Sequence, residues 1–156
     1  MIVLFILATL MAVAVPSFLR SYKTAQLNAA ARSVVTLSQL ARLQAAVHQG
    51  EAQLHIDLDR QRLSVTQKIV TTTEEDTTNV TEVTHKTIEL PAESRLVAAE
   101  RTDQPAQRDG ELVLVYYPNG TCDGGTVWLQ SADKRDAVTL VIDPVTAKAL
   151  PYEVGP

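Results

Sequence analysis

The sequence predicts an α+β fold: one long N-terminal helix packed on an antiparallel β domain. Three observations carry that reading. Residues 21–49 contain neither Gly nor Pro and are rich in Ala, Leu, Gln and Arg. At Gly50 the hydrophobic period changes from helical to alternating. Beyond it, Pro91, Pro105, Pro118, Pro144 and Pro151 separate short runs of aliphatic and β-branched residues.

The first element, residues 1–19, reads "MIVLFILATLMAVAVPSFL" and carries no charge. As a helix it would reach roughly 28 Å, close to the hydrocarbon thickness of a bilayer. Met1, Leu4, Phe5, Leu7, Ala8, Leu10, Met11, Val15 and Phe18 form a surface that is apolar on nearly every side. A membrane segment is therefore expected. Two other readings stay open. Ala12-Val13-Ala14 offers a signal-peptidase site, but no basic residue precedes the run. A buried core helix is the third reading, and the absence of a polar face counts against it. Pro16 removes a backbone donor, so a kink or local opening is expected there.

The second element, residues 20–50, continues the helix with an amphipathic pattern. Leu27, Ala30, Val34, Leu37, Ala41 and Gln44 fall near helical spacing, and Leu40, Leu43 and Val47 are expected to widen the stripe. Gly50 stands where a left-handed C-terminal cap belongs.

Residues 51–156 form the β domain. Leu54, Ile56 and Leu58 alternate with polar residues, Asp59–Arg62 supply a turn, and Leu63, Val65, Ile69 and Val70 follow. The Thr-rich, acidic segment 71–87 suits an exposed hairpin with its tip near Glu74, Glu75, Asp76 and Asn79, or a loop. Further strands are expected at Ile88–Leu90, Arg95–Ala99, Leu112–Tyr117, Thr126–Leu129, Val138–Ile142 and Ala149–Tyr152.

Composition narrows the function classes. With 14 basic and 18 acidic residues the net charge is −4, which does not favour a nucleic-acid partner. The modest basic pairs are Arg60 with Arg62 and Lys134 with Arg135. His48, His55 and His85 match no metal pattern, and His48 reads as a cation-capable residue near a helix C-terminus. "GTCDGG" at 120–125 lacks the Lys-Ser/Thr of a phosphate loop and reads as a turn. The single Cys122 cannot form an intrachain disulfide. No catalytic residue, metal or cofactor is expected.

The segment "MIVLFILATLMAVAVPSFLRSY", with its "AVPSF" ending, resembles the N-terminal helix of type IV pilins and type II secretion pseudopilins. "AARSVVTLSQLARLQAAVHQG" at 30–50 resembles the helix of H-type minor pseudopilins and FimT-like minor pilins. "VYYPNGTCDGGTVWL" at 115–129 resembles their aromatic-x-Pro-x-Gly…Gly-Gly strand-turn-strand, and "VTLVIDPVTAKAL" at 138–150 their closing strand. The resemblance marks Tyr117, Pro118, Gly120, Gly124, Gly125, Asp143 and Pro144 as family-like turn positions. Ala147 departs from it, standing where the closing turn has glycine.

The resemblance implies a minor pseudopilin-like subunit of a type II secretion pseudopilus, held in the bacterial inner membrane by one helix with the C-terminal domain in the periplasm. It implies other pilin or pseudopilin subunits as partners, and a prepilin peptidase that cleaves and permits methylation of the mature N-terminus. A minor type IV pilin with an adhesive or DNA-uptake role is the alternative, and an exported β domain with a cleaved signal the second. Aligned on Pro16, the family's assembly glutamate falls two positions before Met1, so the natural reading frame is expected to continue upstream. Topology leads to the same expectation. Arg20 and Lys23 follow the span with nothing basic before it, which would place the domain in the cytoplasm unless a basic leader precedes.

Overall fold

The computed structural model describes residues 2–73 and 77–153, and the side chains of 21–69 and 81–152. Helix α1 spans Ile2–Val47. Nine strands follow: β1 (Ala52–Asp57), β2 (Arg62–Thr73), β3 (Thr77–Glu89), β4 (Ser94–Arg101), β5 (Gln104–Gln107), β6 (Glu111–Tyr116), β7 (Gly125–Ser131), β8 (Ala137–Ile142) and β9 (Ala149–Glu153). Helix α1 runs without a break through Pro16, so the surrounding turns absorb one lost donor where a local opening was expected. Met1 and the tip residues Glu74, Glu75 and Asp76 lie outside the described residues, as do the side chains of Leu4, Phe5, Leu7, Ala8, Leu10, Met11, Val15, Pro16, Phe18 and Asn79. Among the residues whose side chains are described, which begin at Ser21, no helix is long and apolar enough to cross a membrane.

The strands form two antiparallel sheets, one ordered β3-β2-β1-β6 and the other β5-β4-β7-β8-β9. The second half of α1 packs against strands of both, so one helical face must serve two sheets. That explains its composition. Leu27, Ala30, Ala31, Val34, Leu37, Ser38, Ala41 and Ala45 are buried, and the small residues among them let the backbone approach the sheets closely. In β1, Leu54 and Ile56 point into this core while Gln53, His55 and Asp57 face outward, the two-residue period of a one-sided sheet. Leu63, Val65, Leu112, Leu114, Leu129, Leu140 and Ile142 complete the core.

Two polar contacts cross it. Ser38 Oγ and Tyr116 Oη lie 2.7 Å apart, joining α1 to β6 in the interior. Burial pushes the Tyr116 phenol well above its usual range, partly offset by the Ser38 hydroxyl, so the pair stays neutral. Gln67, only 1% exposed, bonds the carbonyl of Gln44 through Nε2 at 3.4 Å and His85 Nε2 through Oε1 at 3.0 Å. His85 is brought there by a bulge, since Val65 pairs with Lys86 and Thr66 with Thr84, leaving one extra residue on β3.

Several expectations shift. The widened helix stripe holds only at Leu40, which is partly buried against the core; Leu43 and Val47 are 57% and 64% exposed, and Ala45 takes the buried position instead. The left-handed cap lies at Gln49 (φ 51°), one residue before Gly50. Gly50 N–H then donates to Ala45 C=O at 3.2 Å, the six-to-one bond of a Schellman ending. Gln49 holds this conformation with Nε2 on the Ala46 carbonyl at 2.6 Å. Residues 88 and 89 end β3 instead of forming a separate strand, and β3 pairs with β2 from Arg62↔Glu89 to Thr73↔Thr77. Strand β5, which contains Pro105, was not expected. Proline is tolerated because β5 is an edge strand.

Candidate functional site

The family-like turn positions meet at one end of the domain. After β6, Gly120 N–H donates to Tyr117 C=O at 3.0 Å and Tyr117 N–H to Thr121 C=O at 2.9 Å, closing a tight loop that contains Pro118. Asp123 secures it: Oδ1 accepts from the Tyr117 hydroxyl at 3.0 Å, and Oδ2 from Val115 N–H at 3.2 Å. The same carboxylate lies 3.8 Å from Arg101, whose guanidinium also forks onto Asp103. A Cβ at Gly120 would stand 3.8 Å from Arg42 Nη2, so this loop reaches the last turns of α1.

Gly124 and Gly125 are required for different reasons. Gly124 has φ of +69°, and a Cβ there would press on Thr102 Oγ1 at 2.8 Å and Pro144 Cβ at 2.9 Å. Gly125 lies flat against β4, where a Cβ would collide with the backbone carbonyl of Glu100 and meet Leu114 Cδ2 at 3.3 Å. The double glycine lets β7 approach its neighbour closely.

The closing turn, Asp143 to Ala147, packs on this loop. Cys122 N–H donates to Pro144 C=O at 2.9 Å. The Cys122 thiol is 6% exposed and burial pushes its ionisation up, so it is a structural thiol resting on the Asp143 carbonyl. Asp143 Oδ1 accepts N–H groups from Val145 at 2.8 Å and Thr146 at 3.4 Å. The Val145 bond chiefly, against some desolvation and with help from Thr146, holds the carboxyl below its usual range. A lowered folded-state value means this stabilisation is complete above the unfolded carboxyl's pKa and is lost as pH falls through the folded one. The expected result is that Asp143→Asn and the unmutated chain differ in urea midpoint at about pH 6, with the gap closing toward about pH 2. Urea titrations across that range check it.

Ala147 carries φ of +51°, a left-handed backbone that glycine adopts more readily than alanine. Alanine there costs about 1–2 kcal/mol of strain. Its methyl is 1% exposed, and that burial returns roughly 0.8 kcal/mol. Ala147→Gly is therefore expected to change stability by less than about 1 kcal/mol in either direction, measured by chemical denaturation.

The remaining candidates are placed by packing or by charge pairs. Arg60 lies 3.9 Å from Asp57, and Arg62 donates to Glu89 at 3.0 Å, so two of the four basic residues weighed for nucleic acid each have a carboxylate beside them. His55 sits between Glu111 at 2.7 Å and Glu82 at 3.8 Å on the outer face of the first sheet. The His48 ring stacks on His85 with centroids 6.2 Å apart, a contact from the end of the helix to β3. Among the described residues, no three His, Cys, Asp or Glu side chains converge as metal ligands.

At the other end of the domain the helix is gripped where it leaves the sheets. Lys23 Nζ lies 3.9 Å from Glu93 and 3.7 Å from Asp133, and Thr24 Oγ1 donates to Asp136 at 3.0 Å. Glu93 is 70 residues from Lys23 in sequence and the two aspartates are 110 and 112 from their partners, so no local pattern announces them.

No family model matches the sequence, and no curated protein matches it. Solved structures do. A structure of the minor pseudopilin EpsH from the Type 2 Secretion System of Vibrio cholerae aligns over 84% of this chain and 99% of its own, with a TM-score of 0.57 at 14% identity. A second EpsH structure aligns over 85% and 96%, with 0.59 at 15% identity. The type IV minor pilin FimU of Pseudomonas aeruginosa aligns over 85% and 90%, with 0.50 at 14% identity. The chain has a type IV pilin/pseudopilin-like fold.

Proposed function

We propose, from that fold as premise, that the chain is a non-enzymatic filament subunit: a minor pseudopilin-like component of a type II secretion pseudopilus. The observation that carries the reading is the nearly complete overlap with both EpsH structures, 99% and 96% of their lengths, by a chain whose first nineteen residues are uncharged. An all-round apolar helix suits a bilayer and a helical filament core equally, because lipid and neighbouring helices both cover it. The inner membrane is the proposed location, with the β domain in the periplasm and other pilin or pseudopilin subunits as partners. A prepilin peptidase is a further partner where the natural chain extends upstream.

The grip around Lys23 and Thr24 gives the domain its part in this function. A force applied to the N-terminal half of a continuous helix passes into both sheets through that junction and the buried face above it. A minor type IV pilin is the second reading, favoured by the likeness to FimU. Its DNA-uptake form is weakened by the charge pairs of Arg60 and Arg62.

The test is expression from the native locus with its natural upstream sequence, followed by membrane fractionation and N-terminal sequencing. The proposal expects a membrane-bound chain that keeps the apolar residues before Val15. A soluble periplasmic chain beginning near Val15 would instead support an exported domain with a cleaved signal. Deleting the gene and assaying both protein secretion and surface piliation separates the pseudopilus reading from the pilus one.

A further inference from the structure

The loop between β7 and β8 sorts its charges by sign, and it does so beside the point where the helix leaves the domain. Asp133 and Asp136 turn toward α1, where Lys23 lies 3.7 Å from the first and the Thr24 hydroxyl donates to the second. Lys134 and Arg135, between them, are exposed. Lys134 reaches that position through a left-handed backbone (φ 60°), with its N–H on the Ser131 carbonyl at 2.8 Å. Arg135 is held by its N–H on Asp133 Oδ1 at 3.3 Å. Among the described residues neither side chain makes a close ion pair, although the Arg135 charge acts on Asp133 at longer range. The loop's backbone is pinned at both ends, by Ser131 N–H on Asp136 C=O and by Ala132 N–H on Glu93 C=O.

Distance along the helix gives this arrangement a partner. Thr24 is five residues past Leu19, the last residue of the uncharged segment. In a continuous helix that is about 7.5 Å of rise. If residues 1–19 lie in a bilayer, the loop stands within about one Debye length of the headgroups, close enough for two exposed cations to act. Arg20 and Lys23 add basic residues at the same level in the sequence.

We propose that the β7–β8 loop docks on anionic phospholipid headgroups through Lys134 and Arg135, setting the tilt of the β domain on the membrane before assembly. The proposal rests on the membrane reading of residues 1–19. Its logic is local: Asp133 and Asp136 contact the helix, and Lys134 and Arg135 are left exposed beside the point where the helix leaves the domain. Extraction of the subunit into a filament would break this contact.

The test uses the full chain, carrying Ala132→Cys for a fluorophore and Cys122→Ala to keep the label unique, reconstituted in vesicles. One set contains phosphatidylethanolamine and phosphatidylglycerol, the other phosphatidylcholine alone, each with a headgroup-linked spin-label quencher. A label at Asn119→Cys, on the opposite end of the domain, is the reference. Expected are strong quenching at 132 but not at 119 in the anionic vesicles, and a loss of about twofold or more in Lys134→Glu/Arg135→Glu, in about 0.5 M salt, and in phosphatidylcholine. The salt and lipid arms need no charge substitution. If the chain floats with the vesicles but position 132 is quenched no more than 119, or is insensitive to salt, lipid and charge reversal, the docking proposal is wrong and the membrane reading stands. If the chain does not float, both fail.

Discussion

Gly125→Ala is expected to destabilise the β domain by about 3–5 kcal/mol, among the largest effects a single methyl group can have. The added carbon has nowhere to go. It would collide with the Glu100 carbonyl, which belongs to β4, and it would press on buried Leu114. The first neighbour is backbone and cannot move aside; the second is the terminal methyl of a leucine that is itself fully buried. Gly120→Ala is the comparison: it meets only the Arg42 guanidinium at ordinary contact distance, so its cost is limited to the left-handed backbone, about 1–2 kcal/mol. Urea or guanidinium unfolding of the two variants would show the difference. Equal, small losses in both would mean that β4 and β7 do not approach as closely as described.

Leu37→Ala is the second large effect, expected at about 2–5 kcal/mol. Leu37 is fully buried on the helical face that serves both sheets, so its removal leaves a cavity where the helix is held from two sides. Leu43→Ala, on the same helix but 57% exposed, should change stability by no more than about 0.5 kcal/mol. The pair distinguishes the observed face from the wider stripe that hydrophobicity alone suggests. In the proposed function the loss at Leu37 has a further meaning, because the helix is the handle by which the domain is carried.

These two positions also show what could be read from the residues. Leu37 was legible because helical spacing and aliphatic character coincide there. The strands Leu54–Leu58, Leu112–Tyr117 and Val138–Ile142 were legible for the same reason with a period of two. Leu43 and Val47 were misread because hydrophobicity reports what a residue can bury, not what is present to bury it. The pairing of β2 with β3 was obscured by threonine, which suits a strand yet shows no difference between inner and outer faces.

For the candidate site, the resemblance marked Gly124 and Gly125, but the reason for Gly125 lies in Glu100, on a strand whose register no local pattern gives. Ala147 shows the converse. Its residue type left the turn undetermined, and the folded chain holds it left-handed, with Ala147 N–H on the Asp143 carbonyl at 2.8 Å. The grip on Lys23 and Thr24 was out of reach of sequence reading because two of its partners come from the β7–β8 loop.

The central claim is that this chain assembles through its N-terminal helix with other subunits of the same fold. Site-specific crosslinking in the native host tests it most directly, with photoreactive residues placed at Leu7 and Phe18 of the chain expressed with its natural upstream sequence. The account predicts membrane-associated adducts with other pilin-type chains, and their loss when charge is introduced at Leu10 or Met11. Recovery of a soluble, uncrosslinked β domain, cut near Val15 and indifferent to those substitutions, would contradict it.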